Sequence, residues 1–224
     1  ADALAAAEAL AAERPDDAQA LRWLSAAQLQ SGQAEAALAS IDRAIALAPE
    51  DAELHLARAG VLVGSRKPDE ARAALDQATG LDPNQCTAYV LQAQLALARG
   101  DLDEAQRLNR LAARVAPEHP RLAFVEGMVL LRQGDAEGAL KILAAAVQRV
   151  PDDLQLLHAL GVVYLARGHL AFAEQAFRTI ADRIPAATGV TLLVASVVAR
   201  QGRSDEALDV LNPVLEDPER VTAG

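Results

Sequence analysis

The sequence has little cysteine, few aromatic residues and no long apolar run. Cys86 is the one cysteine in 224 residues, so an internal disulfide is excluded and the chain is not a disulfide scaffold. Phe, Trp and Tyr together make 3% of the residues, which excludes the composition of a β-sandwich or barrel. Because no run of about 18 apolar residues occurs, the sequence predicts no insertion into a membrane.

Positive charge is also scarce, and so are the patterns of reactive groups. Lys and Arg number 21 against 31 Asp and Glu, so the net charge of −10 argues against nucleic acid as a partner. The four histidines show no HxxxH, CxxC or HExxH spacing, and no phosphate-binding glycine loop or nucleophile elbow occurs. We therefore expect no metal, no cofactor and no catalytic residue, and the chain is predicted not to be an enzyme.

The residues that are abundant favour helices. The chain contains 52 Ala and 34 Leu, two of the strongest helix formers. Prolines, which end helices, recur at a constant interval of 34 residues. The six in-phase prolines are Pro15, Pro49, Pro83, Pro117, Pro151 and Pro185.

Two further columns share the 34-residue period. Glycine stands 17 residues after the in-phase proline at five of six places, and only Arg66 interrupts the column. A glycine there allows the left-handed conformation that ends a helix. Five residues later comes an alanine column, which predicts close helix crossings. Its members are Ala37, Ala71, Ala105, Ala139, Ala173 and Ala207.

These residues resemble the tetratricopeptide repeat, a 34-residue helix–turn–helix unit. The best copy runs from Leu154 to Ala187 and has the family's characteristic residues at Leu157, Leu160, Gly161, Tyr164, Ala173, Phe177, Ile180 and Pro185. The resemblance implies an all-α fold, a right-handed α-solenoid of stacked antiparallel helix pairs with about 13 helices. It is specific for the fold and says little about the partner.

Counting in steps of 34 predicts the organisation of one continuous solenoid that is a fragment of a longer protein. Residues 1–17 are interpreted as the second helix of a partial repeat, and residues 188–224 as a degenerate sixth repeat and the C-terminal end. Five full repeats lie between, at 18–51, 52–85, 86–119, 120–153 and 154–187. Pro213 within the last helix predicts a kink or an end near Leu211.

In this family the first helix of each pair lines the concave groove. The resemblance therefore implies a largely apolar groove that receives a peptide or amphipathic helix of a partner protein. Phe124 and Met128 are its expected centre. The predicted groove residues are Arg22, Leu29, Leu56, Val63, Val90, Gln94, Leu97, Arg121, Phe124, Met128, Leu131, His158, Val162 and Leu165.

The predicted partner is a protein or peptide that is apolar with some acidic residues, because arginines stand at the groove positions. Tight coiling that buries the apolar stripe inside the solenoid is the alternative to binding. Two other functions stay open apart from the question of coiling. The chain is the repeat region of a larger bacterial enzyme or envelope export or assembly complex, where it positions a catalytic domain or its substrate, or it is a self-associating spacer joined through its terminal helices.

The compartment also stays open. The Ala- and Arg-rich, Lys-poor composition is typical of a high-GC bacterium, and residues 1–4 lack the basic stretch of a signal peptide. The expectation is bacterial cytoplasm or periplasm.

Some polar residues interrupt columns that should be buried. Arg58, Gln92 and Glu126 stand where Leu24 and Leu160 stand in other repeats, and Asn109 stands in the column of Phe177. A buried charge without a partner is costly, so we expect these long side chains to reach water at loose junctions. The alternative is a polar pair of Asn109 and Glu126 across the junction of the third and fourth repeats.

Overall fold

The computed structural model describes residues 2–185 and 187–215. Within these residues the chain forms thirteen α-helices of 12 to 14 residues and no strand. In chain order they are α1 (Asp2–Glu13), α2 (Ala18–Gln30), α3 (Ala34–Leu47), α4 (Ala52–Gly64), α5 (Pro68–Leu81), α6 (Cys86–Arg99), α7 (Leu102–Val115), α8 (Pro120–Arg132), α9 (Ala136–Arg149), α10 (Leu154–Ala166), α11 (Leu170–Arg183), α12 (Thr188–Arg200) and α13 (Ser204–Leu215).

Acidic residues that follow the periodic prolines cap the N-termini of several helices, each the first helix of its pair. The Asp17 carboxylate accepts from the backbone N–H of Gln19 at 2.9 Å, and Asp51 does the same for Glu53. Asp153 caps α10 in the same way. Each carboxylate satisfies a backbone donor that has no partner within the helix and complements the helix dipole.

The turn within each pair depends on a left-handed residue. Gly32, Gly100, Gly134 and Gly168 have φ between 75° and 89°. Arg66, which interrupts the glycine column, has a φ of 58°. The predicted left-handed turn is confirmed, and at Arg66 a side chain adopts the conformation that glycine provides elsewhere.

The alanine column forms the crossings inside the pairs. Five of its six members are fully buried, and Ala207 is 5% exposed. The column places one small residue on the second helix of each of the six pairs from α2–α3 to α12–α13. A larger side chain there would force the two backbones apart.

The residues divide into two compact units, which meet in sequence after Pro117. In the first unit, buried cores form around Ile41 and Leu54 and around Leu62 and Leu75. In the second unit, the cores form around Leu143 and around Phe177. Within each unit the second helix of one pair also packs on the first helix of the next, so the all-α solenoid fold class is confirmed.

The last helix runs through its proline. The helix α13 continues past Leu211 to Leu215, with Pro213 inside it, so the predicted end near Leu211 is wrong and the alternative kink stays a prediction. A proline removes one backbone hydrogen bond from a helix.

Candidate functional site

The first helices of the second unit carry most of the predicted apolar groove residues. Phe124, Met128 and Leu131 follow one another on α8, and all three are half-buried. Their inner sides pack against the core that includes Leu143 and Leu156. The spacing of four and three residues places them on one face of the helix.

Helix α10 lies directly beside α8 and continues this face. Val162 and Leu165 are half-buried and pack on the core around Phe177. His158 lies one turn before Val162, with its ring centroid 5.7 Å from that of Phe177. We call the face formed by Phe124, Met128, Leu131, His158, Val162 and Leu165 the inner face of the second unit.

The electrostatics of this face are close to neutral. Burial lowers the pKa of His158, which keeps its imidazole uncharged at neutral pH. Arg121 is exposed at the start of α8, one turn before Phe124. The face is therefore apolar with a cation at one end.

The predicted groove residues of the first unit are less uniform. Val63 is 40% exposed, whereas Leu56 is half-buried on the core of its unit. Leu29 packs against Gly64 of α4, where an added Cβ would lie 3.2 Å from its Cδ1. Arg22 and Gln94 are half-buried and polar, and the Arg22 guanidinium donates to Gln19 at 2.8 Å.

Two predicted groove residues of the first unit are not accessible. Val90 is fully buried and Leu97 is 5% exposed. Both side chains therefore belong to the interior of the unit. Neither can contact a partner without a rearrangement.

Arg58 and Gln92 both have partners in the preceding repeat. Arg58 is 30% exposed and reaches water as expected, whereas Gln92 is buried, so the expectation is wrong for Gln92. The Arg58 guanidinium donates to Asp42 at 2.7 Å, and the Gln92 amide donates to Asp76 at 2.7 Å. In both cases the aspartate lies sixteen residues earlier, on the second helix of the previous pair. Reasoning from the repeat columns missed these aspartates. Each lies sixteen residues before the polar residue that it contacts, and this constant separation is a signal that identifies it.

His55, His119 and Cys86 have contacts or burial that account for them without a catalytic or metal-binding role. The imidazole of His55 lies 2.8 Å from the carbonyl of Pro49, and His119 accepts from the backbone of Arg121. Burial raises the pKa of the Cys86 thiol, which lowers its reactivity. Across residues 2–185 and 187–215, no group of three His, Cys, Asp or Glu side chains is arranged to hold a metal ion.

The same portion of the chain also offers no helix that combines the length and hydrophobicity needed to cross a membrane.

Comparison with known families identifies the fold unit. Models described as tetratricopeptide repeat match residues 1–52, 27–85, 56–106 and 90–153, and a second such model matches residues 130–197. The chain therefore belongs to the tetratricopeptide repeat family. Members of this family typically mediate interactions between proteins, and the repeat is typically a non-catalytic module. None of the curated proteins compared matches the sequence.

Solved structures agree with this assignment at the level of the fold. A thermophilic TPR protein of Thermus thermophilus is similar with a TM-score of 0.71 and 21% identity over 81% of this chain and 99% of its own. The APC/C hetero-tetramer Cut9-Hcn1 gives a TM-score of 0.83 and 15% identity over 96% of this chain and 44% of that one. Human IFIT1, solved as a dimer with m7Gppp-AAAA, gives a TM-score of 0.78 and 19% identity over 88% of this chain and 50% of its own. This chain thus spans half or less of the length of Cut9-Hcn1 and IFIT1.

Proposed function

We propose that the chain is a non-catalytic scaffold that binds a peptide or amphipathic helix of a partner protein on the inner face of the second unit. The observation that carries the proposal is the run of large apolar side chains on two adjacent helices. Phe124, Met128 and Leu131 on α8 and Val162 and Leu165 on α10 are all partly open to solvent. An apolar surface of this kind on a folded protein marks an interaction site.

The chemistry of the face indicates the partner. An amphipathic helix presents apolar anchors at i, i+3, i+4 and i+7, which match two parallel rows of apolar side chains. Phe124 offers an aromatic surface, and the Met128 thioether adapts to the shape of an anchor. Arg121 at the end of the face favours an acidic residue at one end of the bound segment.

The proposal is tested by peptide selection followed by measurement of affinity. Peptides of about 12 residues are selected from a random library on the intact chain, and dissociation constants are measured by fluorescence polarisation. We expect apolar residues at helical spacing in the selected sequences. Because an aromatic anchor and a neighbouring contact are removed, Phe124→Ala with Met128→Ala is expected to weaken binding at least about tenfold.

The matched control is Phe172→Ala. Phe172 is 57% exposed on α11, outside the inner face, so its replacement removes an apolar side chain of the same size without touching the site. Peptides that bind the double variant as tightly as the unaltered chain, with an intact helical circular dichroism spectrum, would contradict the proposal.

A further inference from the structure

A second cleft lies in the first unit, between α5, α6 and α7. It has a volume of about 370 Å³, and its polar lining comes from all three helices. Arg72 and Asp76 lie on α5, Gln92 and Arg99 on α6, and Arg107 on α7. None of these residues belongs to the inner face of the second unit.

Three charged residues of the cleft, Arg107, Glu104 and Asp76, already have partners. Arg107 holds Glu104 through two hydrogen bonds of 2.7 Å each, and Asp76 accepts from Gln92. The pKa of Glu104 is lowered, first by the hydrogen bond from Arg107 and further by the charges of Arg107, Arg72 and Arg99. Arg72 of α5 and Arg99 of α6 line the same cleft as this carboxylate.

Arg72 and Arg99 supply the unused positive charge. Within the described residues, neither guanidinium forms an ion pair or a hydrogen bond. The three arginines against Asp76 and Glu104 give the cleft a formal charge of +1 in a chain of net charge −10. A cleft with this balance attracts a single negative charge.

The walls add two further features. The Gln92 side chain is 9% exposed, and its Oε1 has no hydrogen-bond partner. This oxygen is closed to solvent, so it is an unsatisfied acceptor within the wall of the cleft and not a contact point for a ligand. Leu95, Leu108 and Leu111 provide apolar surface beside the arginines.

We propose that this cleft binds the carboxylate of a glutamate side chain in an acidic segment of a partner protein. The carboxylate pairs with Arg72 and Arg99, and its methylene stem packs on the leucines. A dianionic phosphate suits the cleft less well, because Asp76 and Glu104 lie in the same walls and repel the second charge. This site is additional to the proposed inner face and does not depend on it.

The experiment uses the full chain and a minimal probe. Backbone amide shifts in two-dimensional NMR are followed during titration with acetyl-Leu-Glu-Leu-amide, with acetyl-Leu-Gln-Leu-amide as the neutral control and inorganic phosphate as the second anion. We expect saturable shifts in α5, α6 and α7 with the glutamate peptide. The glutamine peptide and phosphate are expected to bind at least about tenfold more weakly, since a charge-assisted contact to the arginines is lost or opposed.

Matched variants locate the site. The double variant Arg72→Gln with Arg99→Gln is expected to bind the glutamate peptide at least about tenfold more weakly. Arg114→Gln removes an exposed arginine of α7 that does not line the cleft, and should leave the affinity unchanged. Arg72→Lys with Arg99→Lys keeps the charge and should lose less affinity than the glutamine pair.

Three results would overturn the proposal. They are an absence of saturable shifts up to about 20 mM peptide, equal affinity for the glutamate and glutamine peptides, and unchanged affinity in the glutamine double variant. Tighter binding of phosphate than of the glutamate peptide would overturn the assignment to a protein carboxylate. Both arginines are exposed at the surface, so the variants are expected to keep their fold. The NMR spectrum of each variant checks this in the same measurement.

Discussion

Arg66 occupies the turn position that glycine holds in the other five pairs. Its φ of 58° lies in the left-handed region, where a side chain with a Cβ is unfavourable by roughly 1–2 kcal/mol per residue. The surrounding helices α4 and α5 hold it there, because the turn geometry is set by the two helices that it joins.

Replacing Arg66 with glycine is therefore expected to stabilise the chain. The relief of the left-handed strain outweighs the greater freedom of glycine in the unfolded state, with a net gain of about 0.5–1 kcal/mol. Urea denaturation followed by circular dichroism measures the free energy of unfolding. Gly100→Ala is the control and should lose stability, because Gly100 has a φ of 81°. A destabilised Arg66→Gly variant would contradict this account of the turn.

His158 predicts a pH dependence of stability. Burial lowers the pKa of its imidazole in the folded state, so the folded chain binds a proton less readily than the unfolded chain. The stability that the folded chain gains by keeping His158 neutral is fully present above the ordinary histidine pKa. It is lost as the pH falls from that value toward the lower pKa of His158 in the folded state. The free energy of unfolding should therefore decrease between about pH 7 and about pH 5.

The variant His158→Leu is expected to flatten that decrease, since leucine fits the apolar face and does not titrate. Unfolding in urea at a series of pH values gives the comparison, with the exposed His169→Gln as the control variant. Superimposable pH profiles of the original chain and His158→Leu would show that His158 is not responsible.

At the scale of the helix pair, small residues on the first helix admit large residues on the second. A Cβ added to Gly161 of α10 would lie 2.6 Å from the ring of Phe177, and one added to Gly127 of α8 would lie 2.6 Å from Leu143. Phe177 and Leu143 are both fully buried. These two contacts set the separation of the helices in the pairs α8–α9 and α10–α11.

The substitution Gly161→Ala is expected to destabilise the second unit by about 1–3 kcal/mol, because the added methyl group overpacks the crossing. Gly60→Ala is the matched control on α4, where an added Cβ meets nothing within 4 Å. That variant should gain about 0.5–1 kcal/mol, since alanine is the better helix former. Thermal unfolding of the two variants gives the comparison, and equal shifts of the same sign would refute the packing argument.

The sequence predicts the paired helices but not the side-chain contacts between them. The periodic prolines and glycines predict paired helices because each residue acts on its own backbone. The pairs Arg58–Asp42 and Gln92–Asp76 join two helices, and a comparison of columns reveals only the interruption. The burial of Val90 depends on how closely neighbouring helices approach, which the repeat pattern does not specify.

At the scale of the molecule, stability in a repeat array is a sum of units and of interfaces between neighbours. In the second unit Glu174 of α11 joins the last pair to the one before it, since its carboxylate accepts from Arg178, Gln201 and Arg203. Burial alone would raise the pKa of Glu174, and these hydrogen bonds lower it overall. The side chain is 13% exposed, so solvent screens the interaction only in part.

Glu174→Gln is therefore expected to weaken the docking of α12 and α13 by about 1–3 kcal/mol. Hydrogen exchange should be faster in those two helices and unchanged in α8 and α9. The control Glu137→Gln removes a carboxylate that is 88% exposed and 3.8 Å from Arg167, and is expected to change stability by less than about 1 kcal/mol. Uniformly faster exchange across the second unit would contradict a local effect.

The two candidate sites differ in how far the sequence predicts them. The inner face follows from positions that recur every 34 residues, so Phe124 and Met128 are found from the pattern alone. The cleft of the first unit combines Arg72, Arg99 and Arg107 from three helices at unrelated repeat positions. No motif marks such a cluster, and only the packing of the helices brings its members together.

Photo-cross-linking locates a bound peptide on the surface of the chain. A selected peptide is synthesised with a photoreactive leucine at its main apolar anchor, cross-linked to the intact chain, and the site is read by mass spectrometry. The proposed function predicts cross-links to residues of α8 and α10, with Phe124, Met128 and Val162 foremost. Cross-links confined to α9 and α11, for example at the exposed Phe172, would contradict it.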